Sequence, residues 1–138
     1  MTTFDPALTA SRCLEAWTSG DLETTRSLLS DDVTFEGPLG HTEGADAYVS
    51  GVAHMADAVS GVELKNLIVE GDDVCIMYDL LSKSAGAVPT IGWYHFRDDK
   101  IESVRAYFDP RQLTDKPAQK KFHIPLFASA LQVCQEAD

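Results

Sequence analysis

The chain has 138 residues, 44% of them hydrophobic, and 22 acidic against 11 basic side chains leave a formal charge of −11. That length predicts one domain with a single sizeable core, and the surplus of carboxylates repels phosphate backbones and anionic lipid surfaces, so neither nucleic acid nor membrane is an expected partner. No run of roughly 18 apolar residues occurs, the N-terminus lacks a basic segment followed by an apolar one, and Cys13, Cys75 and Cys134 are too scattered for a disulfide framework or a zinc site; the expectation is a soluble, cytoplasmic protein without metal or cofactor, its cysteines serving as small buried hydrophobes.

Asp5-Pro6 opens a first helix, the aspartate capping free N–H groups and the proline sitting where no hydrogen bond is lost. Ala10, Cys13, Leu14 and Trp17 recur at helical spacing, and Gly20 ends the run. Asp21 caps a short second helix carrying Leu22, Leu28 and Leu29, and Ser30-Asp31-Asp32 reads as a turn. Val33-Thr34-Phe35-Glu36 is a strand stopped by Gly37-Pro38, and a polar loop from Gly40 to Gly44 leads into a third helix with Tyr48, Val49, Val52 and Ala56 on one stripe. From Val62 onward β-branched and aromatic residues predict four strands, at 62–70, 74–84, 88–97 and 100–108, joined as an antiparallel meander. Helices first and strands second make an α+β domain, the helices laid over one face of a curved, mostly antiparallel sheet. In the tail, residues 114–138, Pro125 starts a short helix with Phe127, Leu131 and Cys134 on one stripe, packing on a pocket mouth or a dimer interface.

The order of these elements, with Ala16-Trp17-Thr18-Ser19-Gly20-Asp21-Leu22 running into Leu28 through Phe35 and then Lys100-Ile101 through Asp109-Pro110, resembles the nuclear transport factor 2-like superfamily. The texture is most similar to its SnoaL-like group, which includes polyketide cyclases, and the resemblance covers about residues 5–113 of a domain taken as 1–113. It implies a cone-shaped fold around a deep, mainly apolar pocket, commonly in a homodimer. It implies little about chemistry, because the scaffold hosts isomerases, hydrolases, cyclases and transport factors alike. The catalytic positions carried over by that resemblance come out without their groups. The carboxylate base of ketosteroid isomerases falls on Gly37 and their tyrosine on Cys13, the acid of the cyclases and of limonene epoxide hydrolase falls on Ala106, and the hydrolase's Arg and Asp fall near Ile76 and Tyr78.

Asp109, just beyond Ala106, is the remaining acid in the matching motif, but strand alternation places it on the face opposite Val104, Ala106 and Phe108, and Asp109-Pro110-Arg111-Gln112 has the pattern of a helix cap. His95 lies between Tyr94 and Phe96. A two-residue turn at Asp98-Asp99 pairs Phe96 with Ile101, whereas a bulge exchanges the faces, so either Tyr94 or His95 meets a ligand and regular alternation forbids both. Tyr78 is a hydrogen-bond donor inside a greasy cavity or an ordinary core tyrosine, with Ile76 and Leu80 on its face and Asp79 turned away. Trp17, Phe35, Tyr48 and Val52 are core or pocket wall, two roles that the sequence does not separate, and are counted with the ligand-binding residues. His41 is placed near the pocket mouth and His54 on the solvent side of the third helix, while His123 belongs to the tail.

Gly37-Pro38-Leu39-Gly40 lacks the lysine and hydroxyl of a phosphate loop, no hydroxyl nucleophile stands in an elbow, and the acidic pairs at 31–32, 72–73 and 98–99 are turn residues. Three functional readings remain: a domain binding a small hydrophobic molecule; an isomerase, cyclase or hydrolase of a polycyclic or terpenoid-like substrate using Tyr78 with His95 or Tyr94; and a structural dimer whose cavity is filled by its own side chains, the Phe122–Leu131 segment folding back being one way to fill it. Catalytic candidates are therefore His95, Tyr78 and Asp109.

Overall fold

The computed structural model describes residues 4–111; the predicted tail helix, His123 and Cys134 lie outside them. The elements in chain order are helices α1 (Pro6–Thr18) and α2 (Leu22–Ser27), strands β1 (Leu29–Gly37) and β2 (Gly40–Glu43), helix α3 (Ala45–Ala56), and strands β3 (Val59–Glu70), β4 (Asp73–Ser82), β5 (Gly86–Arg97) and β6 (Lys100–Phe108). The carboxylate of Asp5 accepts from the N–H groups of Ala7 and Leu8, and that of Asp21 from Thr24 N–H, so both predicted caps operate. Between them Gly20 takes φ +86°, a left-handed conformation that glycine adopts without steric cost.

Two local expectations are corrected. α2 ends at Ser27 rather than running through Leu29, and Ser30-Asp31-Asp32 lies within β1 instead of turning. The cause is tertiary: Leu29 pairs with Ile101 and Thr34 with Ser103, so five residues of β1 are spanned by two of β6. Leu29 and Val33 hold the core while Asp31 and Asp32 remain exposed. The polar segment Gly40–Glu43, expected as a loop, is a strand, because the turn at Pro38-Leu39 folds it back on β1 with Gly37 opposite Gly40 and Phe35 opposite Thr42. It lies at a sheet edge, where polar side chains are tolerated.

The curved sheet runs β2-β1-β6-β5-β4-β3. Its β3–β6 half is the predicted antiparallel meander, and β1 joins β6 in a parallel pairing. α1 packs on β3 and β4, and α3 on β1 and β2. Ala10, Cys13, Leu14 and Trp17 of α1 meet Val74, Ile76, Tyr78 and Leu80 of β4, whose burial alternates strictly along the strand.

The β5–β6 hairpin decides which side chains enter the interior. Asp98 and Asp99 have φ of 53° and 68°, the two positive values of a tight hairpin turn, and Phe96 faces Ile101. One residue later the register shifts, so that His95 lies opposite Ser103 and Tyr94 opposite Val104. Turn and bulge, alternatives in the sequence, occur together. The extra residue lets Ile101 and Val104, three apart, both point inward.

Candidate functional site

Between α3, Trp17 of α1 and the inner face of the sheet lies a cavity of about 480 Å3. Trp17, Phe35, Tyr48, Val52, Tyr78, Leu80, Tyr94, Val104, Ala106 and Phe108 line it. Ile76 does not: it shares the face of Tyr78 but is wholly buried and short of the wall. Thr90 and Gly92 line the cavity beside Tyr94, and Met55 joins Val52 at helical spacing. Their signal was present in the sequence, since both β5 residues share the parity of Tyr94, but it becomes legible only once the face of Tyr94 is known. His54, placed on the solvent side by its helix stripe, is exposed yet reaches the mouth, where it stands with Leu39, Gly40 and His41. His41 Nε2 lies 3.1 Å from the Glu43 carboxylate.

Two missing side chains shape the interior. A Cβ on Gly37 would stand 3.0 Å from Cζ of Phe35, so the aromatic ring occupies the space into which a side chain at this position would project. Phe35 in turn meets Tyr48 edge to face at 5.8 Å. At Gly92 a Cβ would stand 3.1 Å from Cε1 of Tyr94 and 3.5 Å from Cε1 of Tyr78. On this face the cross-strand pairs run Val74–Tyr94, Ile76–Gly92, Tyr78–Thr90, so the gap at Gly92 is where two tyrosine rings from neighbouring strands converge.

Tyr48, Tyr78, Tyr94 and Thr90 bring neutral hydroxyls to the wall, and Cys13, which does not line it, bonds to Tyr48. Burial pushes the Cys13 thiol up to about 12, opposed by a hydrogen bond with Tyr48. Burial also raises Tyr48, Tyr78 and Tyr94 above the ordinary phenol range, with smaller contributions from one another and from Cys13. All three phenols therefore stay protonated and can donate a hydrogen bond but not remove a proton. The Thr90 hydroxyl donates to Val88 O at 2.9 Å, and Tyr78 and Tyr94 have no hydrogen-bond partner among the described residues. Thr42 Oγ1 is a buried hydroxyl oxygen without a partner among the described residues. A buried donor left unsatisfied costs about 1–3 kcal/mol. Among the described residues no carboxylate, lysine or arginine lines the cavity.

The two ionisable catalytic candidates fall elsewhere. His95 is on the outer face of the sheet, half-exposed, with Nδ1 2.8 Å from Asp73 Oδ1 and Nε2 3.7 Å from Glu102 Oε1. Trp93 Nε1 donates to the same Asp73 oxygen at 2.8 Å, and these two hydrogen bonds hold the Asp73 carboxyl below the usual carboxylate range. Asp109 accepts from Arg111 N–H at 3.0 Å and binds the guanidinium of the same residue at 2.8 Å, the capping geometry expected of it. Neither reaches the cavity wall. A wider, open groove of about 610 Å3 between α2 and the β5–β6 turn has its cations committed, Arg26 to Asp31, Arg97 to Asp32 and Glu102, and Lys100 to Ser27 O. Among the described residues no group of three His, Cys, Asp or Glu side chains is disposed to hold a metal, and no helix is long and apolar enough to cross a membrane.

This geometry was compared with known proteins. Residues 10–104 match the SnoaL-like domain family. No curated protein matches the chain. Among solved structures, a nuclear transport factor 2-like protein of unknown function from Cytophaga hutchinsonii is similar over 83% of this chain and 98% of its own, with a TM-score of 0.71 and 27% identity. A hypothetical protein with a ketosteroid isomerase-like fold from Catenulispora acidiphila, in complex with trimethylamine, is similar over 85% and 97% at a TM-score of 0.67 and 19% identity. A putative polyketide cyclase from Sinorhizobium meliloti is similar over 71% and 92% at a TM-score of 0.65 and 16% identity.

Proposed function

The chain belongs to the SnoaL-like domain family, and from that premise we propose that it binds a small, uncharged hydrophobic molecule in the cavity between α3 and the sheet, without the acid–base chemistry of the family's isomerases and cyclases. The observation carrying this reading is the composition of the wall: aromatic and aliphatic groups, neutral phenols and hydroxyls, and glycine or alanine at positions 37 and 106, with the imidazoles of His41 and His54 at the mouth. A methyl group or a hydrogen cannot remove a proton, and the histidine offered by the sequence faces the other way. The cavity volume falls within the range of small-molecule sites. A thermal-shift screen of uncharged polycyclic and terpenoid compounds tests it. A true ligand raises the melting temperature with the logarithm of its concentration, and Ala106→Trp, which fills the cavity, abolishes the rise. A flat response across the screen overturns the reading.

We also propose a homodimer through the outer sheet face. Ile68 (56% exposed), Ile91 (43%), Trp93 (38%) and Tyr107 (50%) form a patch with Cys75 and Met77 across β3 to β6. Exposed apolar groups gathered in this way mark interaction surfaces, and the neighbouring charges are mixed in sign, with Asp73 and Asp79 against Lys65 and Arg105. The free thiols of Cys13 and Cys75 support a reducing, cytoplasmic setting.

A further inference from the structure

The end of the cavity above Gly92 is more specific than a greasy hole. Tyr78 and Tyr94 come from adjacent strands, flank the Ile76–Gly92 pair diagonally, and lean their rings together over the missing side chain. Both are buried, at 6% and 2% exposure, and neither donates to the protein among the described residues. Their polar neighbours are already committed: Tyr48 to Cys13, and Thr90 to Val88 O. Resting on the binding reading above, we propose that the Tyr78–Tyr94 pair is a recognition subsite for the carbonyl oxygen of an uncharged ligand, a ketone, ester or amide, which accepts from one or both phenols. Chemistry favours this acceptor over the alternatives. A ligand N–H, or an O–H used as a donor, reaches only the phenolic oxygens and leaves both phenol protons without an acceptor, and a carboxylate finds no cation among the described residues at this end, the histidines of the wall being at the mouth. A hydrocarbon fits the walls but leaves both phenols unsatisfied. Gly92 is the positioning residue, because a Cβ there would stand 3.1 Å from the Tyr94 ring, which would have to give way.

The test is isothermal titration calorimetry of the full chain with three probes on one skeleton: 2-acetylnaphthalene, 2-isopropylnaphthalene and 2-naphthoate. The wild type is expected to bind the ketone roughly tenfold tighter than the hydrocarbon, the worth of one or two neutral hydrogen bonds, and the naphthoate most weakly. In Tyr78→Phe/Tyr94→Phe the ketone and hydrocarbon affinities should come within about twofold of each other, the ketone losing its hydrogen bonds and the hydrocarbon no longer leaving a phenol unsatisfied. A measurement on the wild type alone guards against a variant that fails to fold: the infrared carbonyl stretch of bound 2-acetylnaphthalene should lie below its position in hexane, as for any carbonyl accepting hydrogen bonds. Equal binding of ketone and hydrocarbon, or an unshifted stretch, overturns the subsite and leaves the binding reading standing. Naphthoate binding tightest also overturns it, by pointing to the mouth histidines. Failure of all three probes to bind overturns the binding reading and the subsite together.

Discussion

The ring of Phe35 lies over Gly37, two residues away on β1, so closely that a Cβ on the glycine would meet Cζ at 3.0 Å and Cε2 at 3.2 Å. The absence of a side chain at position 37 is thus part of the packing, and the ring that replaces it extends the apolar wall toward Tyr48. Gly37→Asp is expected to destabilise the protein by about 1–3 kcal/mol, the range for overpacking. Phe35→Leu should recover part of that loss in the double variant, because the two residues are in contact and their effects do not add. Urea unfolding of the four chains checks it; additive costs would show that the clash is relieved some other way.

Thr42 Oγ1 is buried and has no partner among the described residues. Thr42→Val keeps the shape and removes a hydroxyl already paying its desolvation cost, so stability should stay level or rise by up to about 1 kcal/mol. A loss greater than that in chemical denaturation would reveal a partner for the hydroxyl.

Asp73 binds Trp93 and His95 on the outer face, and those contacts lower its pKa from the ordinary 3.8. A carboxyl depressed on folding contributes stability that is fully present above its unfolded pKa and is lost as pH falls through its folded value. Asp73→Asn should therefore lower the urea midpoint at pH 7 and at pH 5, with the two chains converging as pH drops below 3.8. The group is substantially exposed, so the gap is expected to be small. A gap that persists unchanged in strong acid would assign the effect to lost packing instead. Ligand affinity of the cavity should be the same in both chains, since the dyad is on the other face.

Ile91 and Trp93 stand in adjacent outward positions of β5 at the centre of the exposed patch. Ile91→Asp places a charge there and should convert a dimer into a monomer of unchanged secondary structure, read by sedimentation equilibrium and circular dichroism. A wild-type chain that sediments as a monomer at high micromolar concentration would sink the proposed interface.

Much of this molecule follows from local rules. Caps at Asp5 and Asp21, the corner at Gly20, helical stripes and strict β4 alternation rest on short-range sterics and hydrogen bonding, so their elements are legible in the chain itself. The parity of β6 likewise identifies Val104, Ala106 and Phe108 as wall residues, and the missing acids at Gly37 and Ala106 can be read directly.

What the sequence left open depended on long-range partners. Tyr94 faces the cavity and His95 the outside because β6 carries one extra residue opposite His95 and Phe96, and a one-residue change of register turns every side chain over. Ser30-Asp31-Asp32 looks like a turn until Leu29 is drawn against Ile101, a partner 72 positions later in the chain. Gly40–Glu43 becomes a strand only through its ladder to β1. The convergence of Tyr78 and Tyr94 has the same origin: their spacing along the chain says nothing, whereas the pairing of Ile76 with Gly92 brings the two rings over one missing side chain. Local chemistry chose the elements and the neutrality of the wall; strand register chose which side chains share the cavity.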